Sequence, residues 1–167
     1  MECCTGIRLT ASNQGVVYGR TMEWGTFDLC SRIAIIPRGY PFTGLTPDGL
    51  YGMEWQATYG VVGLDMVGKD FIADGINEKG LAVGLFYHKG VAAYAPYDSA
   101  KRGHTITALD VSNYILSRFA SIHEVRQGMK HVRVVAVVEE EIGIPVYAHW
   151  MVTDSNGDSI VIEFIQG

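Results

Sequence analysis

Cysteine, proline and charge are all scarce in this chain. Three cysteines occur in 167 residues, two of them adjacent as Cys3 and Cys4, which makes a poor disulfide framework. There is no Cys-x-x-Cys pair. The five histidines, at 88, 104, 123, 131 and 149, follow no zinc-type spacing, so neither a metal nor another cofactor is expected. Val132–Val138 is among the longest apolar runs, and Arg133 interrupts it; a membrane span needs about 18 residues. Charged residues make up 19% and the net charge is −5, with no Lys/Arg-rich stretch. That excludes an electrostatic footprint for nucleic acid and a basic amphipathic face for a membrane surface. The start, Met-Glu-Cys-Cys-Thr-Gly, lacks the basic and apolar regions of a signal peptide. The expected location is periplasmic if a leader has been removed and cytoplasmic otherwise.

What is present is an ordinary globular composition, 48% hydrophobic, with 20 glycines and nine tyrosines that suggest many strands and turns. At this length one domain is expected. Cys4–Ala11 and Val16–Glu23 read as strands joined by a hairpin turn at Ser12–Gly15. Cys30–Pro37, Trp55–Val67, Lys69–Ile76 and Leu81–Tyr87 read as further strands, with long loops over 38–53 and 89–104. The period then changes: Ile106, Leu109, Leu116 and Phe119 fit a helix over 105–119. Ser121 and Glu124 form a capping box opening a second helix. Val132–Val138, Val146–Thr153 and Ser159–Ile165 return to strands. Strands, two helices, then strands make an α+β fold. The last strand lies at an edge with nothing following to cover it, as though the domain were truncated.

Cys4 is the first residue with chemistry. Cysteine is a strong nucleophile as its thiolate. Were residues 1–3 removed, the free α-amine of Cys4, ordinarily of pKa about 8, would take the thiol proton without a histidine. The alternative is a small apolar residue beginning a strand. The hairpin brings the end of the second strand back to Cys4, so Arg20 and Glu23 of Gly-Arg-Thr-Met-Glu-Trp fall nearby. A straight strand points these two to opposite faces, and both reach Cys4 only where the strand bends or ends between them. Asp74–Leu81 reads as turn chemistry. Cys30 reads as structural, Trp24, Trp55 and Trp150 as pocket walls or core, and Glu139-Glu140-Glu141 as a solvated loop.

The ordered motifs Cys-Thr (4–5), Gly-Arg-Thr-Met-Glu-Trp (19–24), Ile-Pro-Arg-Gly (36–39), Trp-x-x-x-Tyr-Gly-Val-Val (55–62), Asp-Gly-Ile-Asn-Glu-Lys-Gly-Leu-Ala (74–82) and Asp-Ser-Asn-Gly-Asp-Ser-Ile-Val-Ile-Glu (154–163) together resemble the choloylglycine hydrolases, from Cys4 to Gly167. That family comprises bile salt hydrolases and penicillin V acylases, with a branch acting on acyl-homoserine lactones. The resemblance implies an N-terminal-nucleophile hydrolase and a four-layer αββα sandwich, of which this chain is the N-terminal portion. It implies that Cys4 is the nucleophile, exposed when residues 1–3 leave as a propeptide, and that Arg20 is the active-site arginine. Glu23 stands where the family usually has an aspartate that orients the amine. Tyr87 falls at an oxyanion-hole position and Trp24 at a substrate-binding one. A later asparagine and arginine of the family have no counterpart within the 167 residues. The implied partner is a small acyl-amide substrate, with a homo-oligomer expected. The second reading is a family member that folds without catalysing and serves as a binding or assembly module.

Overall fold

The computed structural model describes residues 4–25, 28–87 and 90–165. In chain order the elements are β1 (Gly6–Thr10), β2 (Val16–Arg20), β3 (Ile33–Ile36), β4 (Pro41–Leu45), β5 (Tyr51–Gln56), β6 (Val61–Met66), β7 (Phe71–Asn77), β8 (Ala82–Tyr87), β9 (Thr105–Thr107), α1 (Asp110–Arg118), α2 (Ile122–Gly128), β10 (Arg133–Val135), β11 (Ala148–Thr153) and β12 (Ser159–Ile162). Six of the strands form one antiparallel sheet in the order β12–β11–β8–β7–β6–β3. α1 packs on β7 and β8. Its Val111, Ile115 and Leu116 join Ile72, Val83, Trp150 and Val152 of the sheet in one buried core.

The opposite face of the sheet carries the β1–β2 hairpin, which pairs Gly6 with Arg20 through to Thr10 with Val16. The turn at Ser12–Gly15 forms as expected: Asn13 accepts from the Gly15 amide at 3.0 Å, and Gln14 takes a positive φ of 66°. The hairpin lies flat because β8 offers Gly84 beneath it. A Cβ at 84 would come within 2.0 Å of the Tyr18 hydroxyl. Helices, sheet and hairpin thus succeed one another as α, β and β layers. The hairpin leaves part of the sheet bare. Ile33, Val62, Leu64 and Ile76 line, with Val17, an open groove of about 640 Å³.

Two features shape the sheet around the hairpin. Leu64 pairs with Asp74 and the next residue, Asp65, with Ile72, so Ala73 is an extra residue on β7. Such a bulge bends its strand and ends local pairing. Accordingly the β7–β8 ladder stops at Asp74–Gly84. At the other end of these strands, buried Asn77 ties the β7–β8 turn to α1. Its amide donates to the carbonyls of Leu116 (2.8 Å) and Phe119 (2.7 Å) and accepts from the amides of Lys79 (2.9 Å) and Leu81 (3.1 Å).

Several expectations need correction. Residues 38–53 are not a loop: β4 and the first half of β5 lie there, and Phe42 stacks on Trp55 with ring centroids 5.0 Å apart. Two of the glycines that read as loop, Gly44 and Gly52, are packing devices, since a Cβ would stand 2.9 Å and 2.3 Å from the Thr105 carbonyl. Trp55–Val67 is not one strand, because β5 ends at Gln56 and β6 begins at Val61. Within the second long loop, Ser99–His104 is a 3-10 turn capped by Asp98. The first helix starts at Asp110, not 105, because Thr105–Thr107 pairs in parallel with β10. Ser121 caps α2 as expected, accepting from the Glu124 amide at 3.3 Å, while the Glu124 carboxylate accepts from the Ala120 amide. Glu139 is buried rather than solvated.

Asp110, also buried, accepts from the Thr107 amide (2.8 Å), the Thr107 hydroxyl (3.0 Å) and the Leu45 amide (3.3 Å). Burial outweighs these bonds and pushes its carboxyl up to about 6. A carboxyl with a raised folded pKa holds its proton more tightly when folded. Its contribution to stability is therefore complete below the unfolded value and is lost as pH rises through the folded one. Asp110→Asn keeps an acceptor oxygen and removes the buried charge. Urea denaturation is expected to show the variant about 2 kcal/mol more stable than the parent near pH 8 and equal to it near pH 4.

Candidate active site

Cys4 is half-buried and lies two residues before the start of β1. Thr5 and Thr21 fasten it: the Thr21 amide donates to the Thr5 carbonyl, and the Thr5 amide to the Thr21 hydroxyl, each at 2.9 Å. The Cys4 thiol in turn donates to the Glu23 carbonyl at 3.9 Å. β2 ends at Arg20, so Glu23 lies beyond the strand and is not held to its alternation. Both residues line one cavity with Cys4, together with Trp24 and Tyr87. Its apolar walls come from Met22, Leu29, Met66, Ile142 and Val146, and from Ala73 and Leu85, where β7 and β8 have ceased to pair.

Arg20 enters this opening between the strands. Its Nη2 donates to the Leu85 carbonyl at 2.9 Å, its guanidinium lies 4.6 Å from the Phe86 ring centre, and its Nε stands 3.9 Å from Asp74 Oδ2. The Arg20 side chain is only 6% exposed, so these partners replace most of its water. Tyr18, two residues earlier on the same face of β2, donates to Asp74 Oδ2 at 3.0 Å. Burial first, and the Asp74 charge second, raise the Tyr18 phenol and keep it a neutral donor. Burial also raises the Asp74 carboxyl, against the pull of the Tyr18 hydrogen bond and of Arg20.

The five residues expected from the sequence therefore share one cavity, though not all by the groups expected. Glu23 meets Cys4 through its backbone carbonyl, and the residue is exposed. Trp24 and Tyr87 meet edge to face with ring centroids 5.1 Å apart. Residues 1–3, the expected propeptide, lie outside the described residues. Cys30 is exposed and does not line the cavity. Asp74 and Tyr18 were missed. Asp74 reads as a turn residue but sits within β7, and an acid inside an apolar strand was the available signal for a partner to a buried arginine. Among the described residues no group of His, Cys, Asp or Glu is arranged to hold a metal ion, and no helix is long and apolar enough to cross a membrane.

Comparison with known proteins identifies the family and the fold. The family model of the linear amide C–N hydrolases, choloylglycine hydrolase family, matches residues 4–167. A bile salt hydrolase/transferase of Clostridium perfringens is 28% identical over 96% of this chain and 47% of its own. A penicillin V acylase of Pectobacterium atrosepticum is 29% identical over 90% of this chain and 41% of its own. Among solved structures, an arginine-to-leucine variant of the conjugated bile acid hydrolase of C. perfringens superposes with a TM-score of 0.81 at 25% identity, over 98% of this chain and 48% of that one. The penicillin V acylase of Agrobacterium tumefaciens superposes at 0.80, over 99% and 47%. The chain thus spans about half the length of the curated relatives it matches.

The electrostatics of the site can be tested directly. Asp74→Ala strands the Arg20 guanidinium and is expected to lower stability by about 3 kcal/mol in urea denaturation. Adding Arg20→Leu removes the stranded charge, so the double variant should be more stable than Asp74→Ala alone. With Arg20→Leu alone completing the cycle, a double variant that loses the sum of the two single losses would show that the pair is not coupled.

Proposed function

The chain belongs to the choloylglycine hydrolase family of linear amide C–N hydrolases, and we propose that it cleaves the amide of a small acyl amide through Cys4, once residues 1–3 have been removed. The observation that carries this reading is the coincidence at Cys4: the family match begins there, and the residue lines an apolar cavity with a buried arginine.

The chemistry follows from the groups at hand. The freed α-amine takes the thiol proton, and the thiolate adds to the amide carbonyl. The amine group leaves with that proton, and the acyl group remains on sulfur. Water, deprotonated by the same α-amine, then releases the acid and restores the thiol. Arg20 cannot carry the proton, because guanidinium does not deprotonate in proteins. It supplies fixed positive charge beside the developing anion. In this reading Tyr87 serves the oxyanion, Trp24 packs on the acyl group, and Glu23 orients the amine. The substrate classes to test are a conjugated bile salt, penicillin V and an acyl-homoserine lactone.

One observation favours a second reading, a binding or assembly module without catalysis: Glu23, expected to orient the amine, is exposed. One comparison separates the readings. With Cys3 attached, the Cys4 nitrogen is an amide and not a base. A chain made to begin at Cys4 is therefore expected to hydrolyse one of the three substrates at least about 100-fold faster than the 167-residue chain, the usual weight of a general base. Equal rates, with Met1 shown by intact mass to be still attached, would rule out the N-terminal-nucleophile mechanism. No hydrolysis by either chain would favour the module.

Cys30 provides a control. Cys30→Ala is expected to leave hydrolysis within about twofold, as for a surface change away from the reacting atoms. A loss as large as that of Cys4→Ala would overturn the assignment of the nucleophile.

A further inference from the structure

The cavity beside Cys4 measures about 40 Å³, room for a few water molecules at about 10–15 Å³ each and not for an acyl chain. A wall must therefore yield when an acyl group enters. Ala73 and Leu85 belong to the sheet and are poor candidates. The loop after β10 is a better one. Val138 bridges to Pro145 and closes the loop. Inside it, the Glu139 carbonyl accepts from the amides of Ile142 (3.2 Å) and Gly143 (2.7 Å), with Gly143 at a left-handed φ of 75°. Fixing Glu139 therefore fixes Ile142, which faces the cavity.

Glu139 is held from outside the loop. Lys69 Nζ donates to Glu139 and, at 2.7 Å, to Glu141. Lys69 stands in the tight turn between β6 and β7, where its amide donates to the Met66 carbonyl at 3.0 Å. The two central residues of that turn, Val67 and Gly68, have φ of 52° and 67°. A β-branched residue is a costly occupant of positive φ. Val67 is bound there, donating its amide to the Leu29 carbonyl at 2.7 Å. One turn thus anchors three apolar side chains of the cavity: Met66 within it, Leu29 through Val67, and Ile142 through Lys69.

We propose that Lys69 is a positioning residue for the acyl side of the site: by clasping Glu139 and Glu141 it holds Ile142 against the cavity and so sets the size of acyl group that reaches Cys4. The proposal rests on Cys4 as the reacting atom. The clasp is an electrostatic necessity. Burial, followed by its contact with Glu141, raises the Glu139 carboxyl, and the ammonium opposes that rise. Without the ammonium the loop loses its tie to the β6–β7 turn, and Ile142 is released from the cavity wall.

The test uses the full chain with Cys3→Ser and Cys30→Ser, which leaves Cys4 as the one thiol. Two probes of equal chemistry and unequal bulk, N-methylmaleimide and N-cyclohexylmaleimide, report access to Cys4. K69M is expected to raise the cyclohexyl-to-methyl rate ratio about tenfold, the weight of a charge-assisted hydrogen bond. K69R, which keeps the charge and offers two donors, should stay near the parent. Hydrogen exchange should quicken at the Ile142 and Gly143 amides and not in β8. Should K69M lose protection in β8 as well, E139Q/E141Q removes the same attraction without leaving two carboxylates side by side, and the same rise is expected. An unchanged ratio in a variant that keeps β8 protected, or an equal rise in K69R, would overturn the proposal. Hydrolysis is read separately on chains beginning at Cys4, where K69M should improve kcat/KM for bulky acyl amides relative to small ones, acting through KM. If the maleimide ratio responds while no variant hydrolyses any amide, the amidase reading fails and the clasp stands.

Discussion

With one residue too many on β7, the central sheet cannot stay closed, and the rest of the site depends on that. Ala73 ends the β7–β8 ladder at Asp74–Gly84 and leaves an opening between two strands that a regular sheet would not have. The opening supplies a carbonyl at Leu85, the acceptor a buried guanidinium needs. It also supplies a recess lined by Ala73 and Leu85, into which a residue at the head of β1 can face. Arg20 is held there by a carbonyl, an aromatic face and the Asp74 carboxylate, and Tyr18 takes up an oxygen of that carboxylate. The half-buried carboxylate offsets the charge of a guanidinium that, at 6% exposure, would be costly to leave alone.

The cavity is assembled from segments distant in sequence. The hairpin brings Cys4 and Arg20, the β6–β7 turn brings Met66, and the loop after β10 brings Ile142 and Val146. The contacts that register these segments are polar and lie around the apolar space: Thr5 with Thr21, Val67 with Leu29, Lys69 with Glu139 and Glu141. The division follows from the chemistry. Apolar walls have no preferred orientation, so direction has to come from hydrogen bonds at the rim.

The sequence makes legible what is local. The β1–β2 hairpin, its turn at Ser12–Gly15 and the capping of α2 by Ser121 follow from patterns a few residues long. The neighbourhood of Cys4, Arg20 and Glu23 follows from the hairpin alone. What the sequence hides is long-range. Ile106 has helical spacing to Leu109, and its strand character exists only because β10 lies alongside. Gly44 and Gly52 look like loop until the backbone they make room for is in place. Asp74 lies 56 residues from Tyr18, and Glu139 lies 70 from Lys69; neither pair leaves a periodic trace. The Glu139–Glu141 run reads as solvated because its cation comes from another hairpin.

The contact between the hairpin and Gly84 bears on how variation in this chain should be read. Besides the Tyr18 hydroxyl, a methyl group there would meet Phe86 at 3.0 Å and an Asp74 oxygen at 3.1 Å. A side chain at 84 therefore has to push the Tyr18 hydroxyl aside, which disturbs the seating of the hairpin and the Asp74 carboxylate beside Arg20. In a saturation screen scored on turnover, position 84 would favour glycine and would sort with the reacting residues, although it does not line the cavity. The same screen scored on abundance would separate the two groups, because displacement of the hairpin exposes Phe86 and Met151 whereas loss of the thiol exposes nothing.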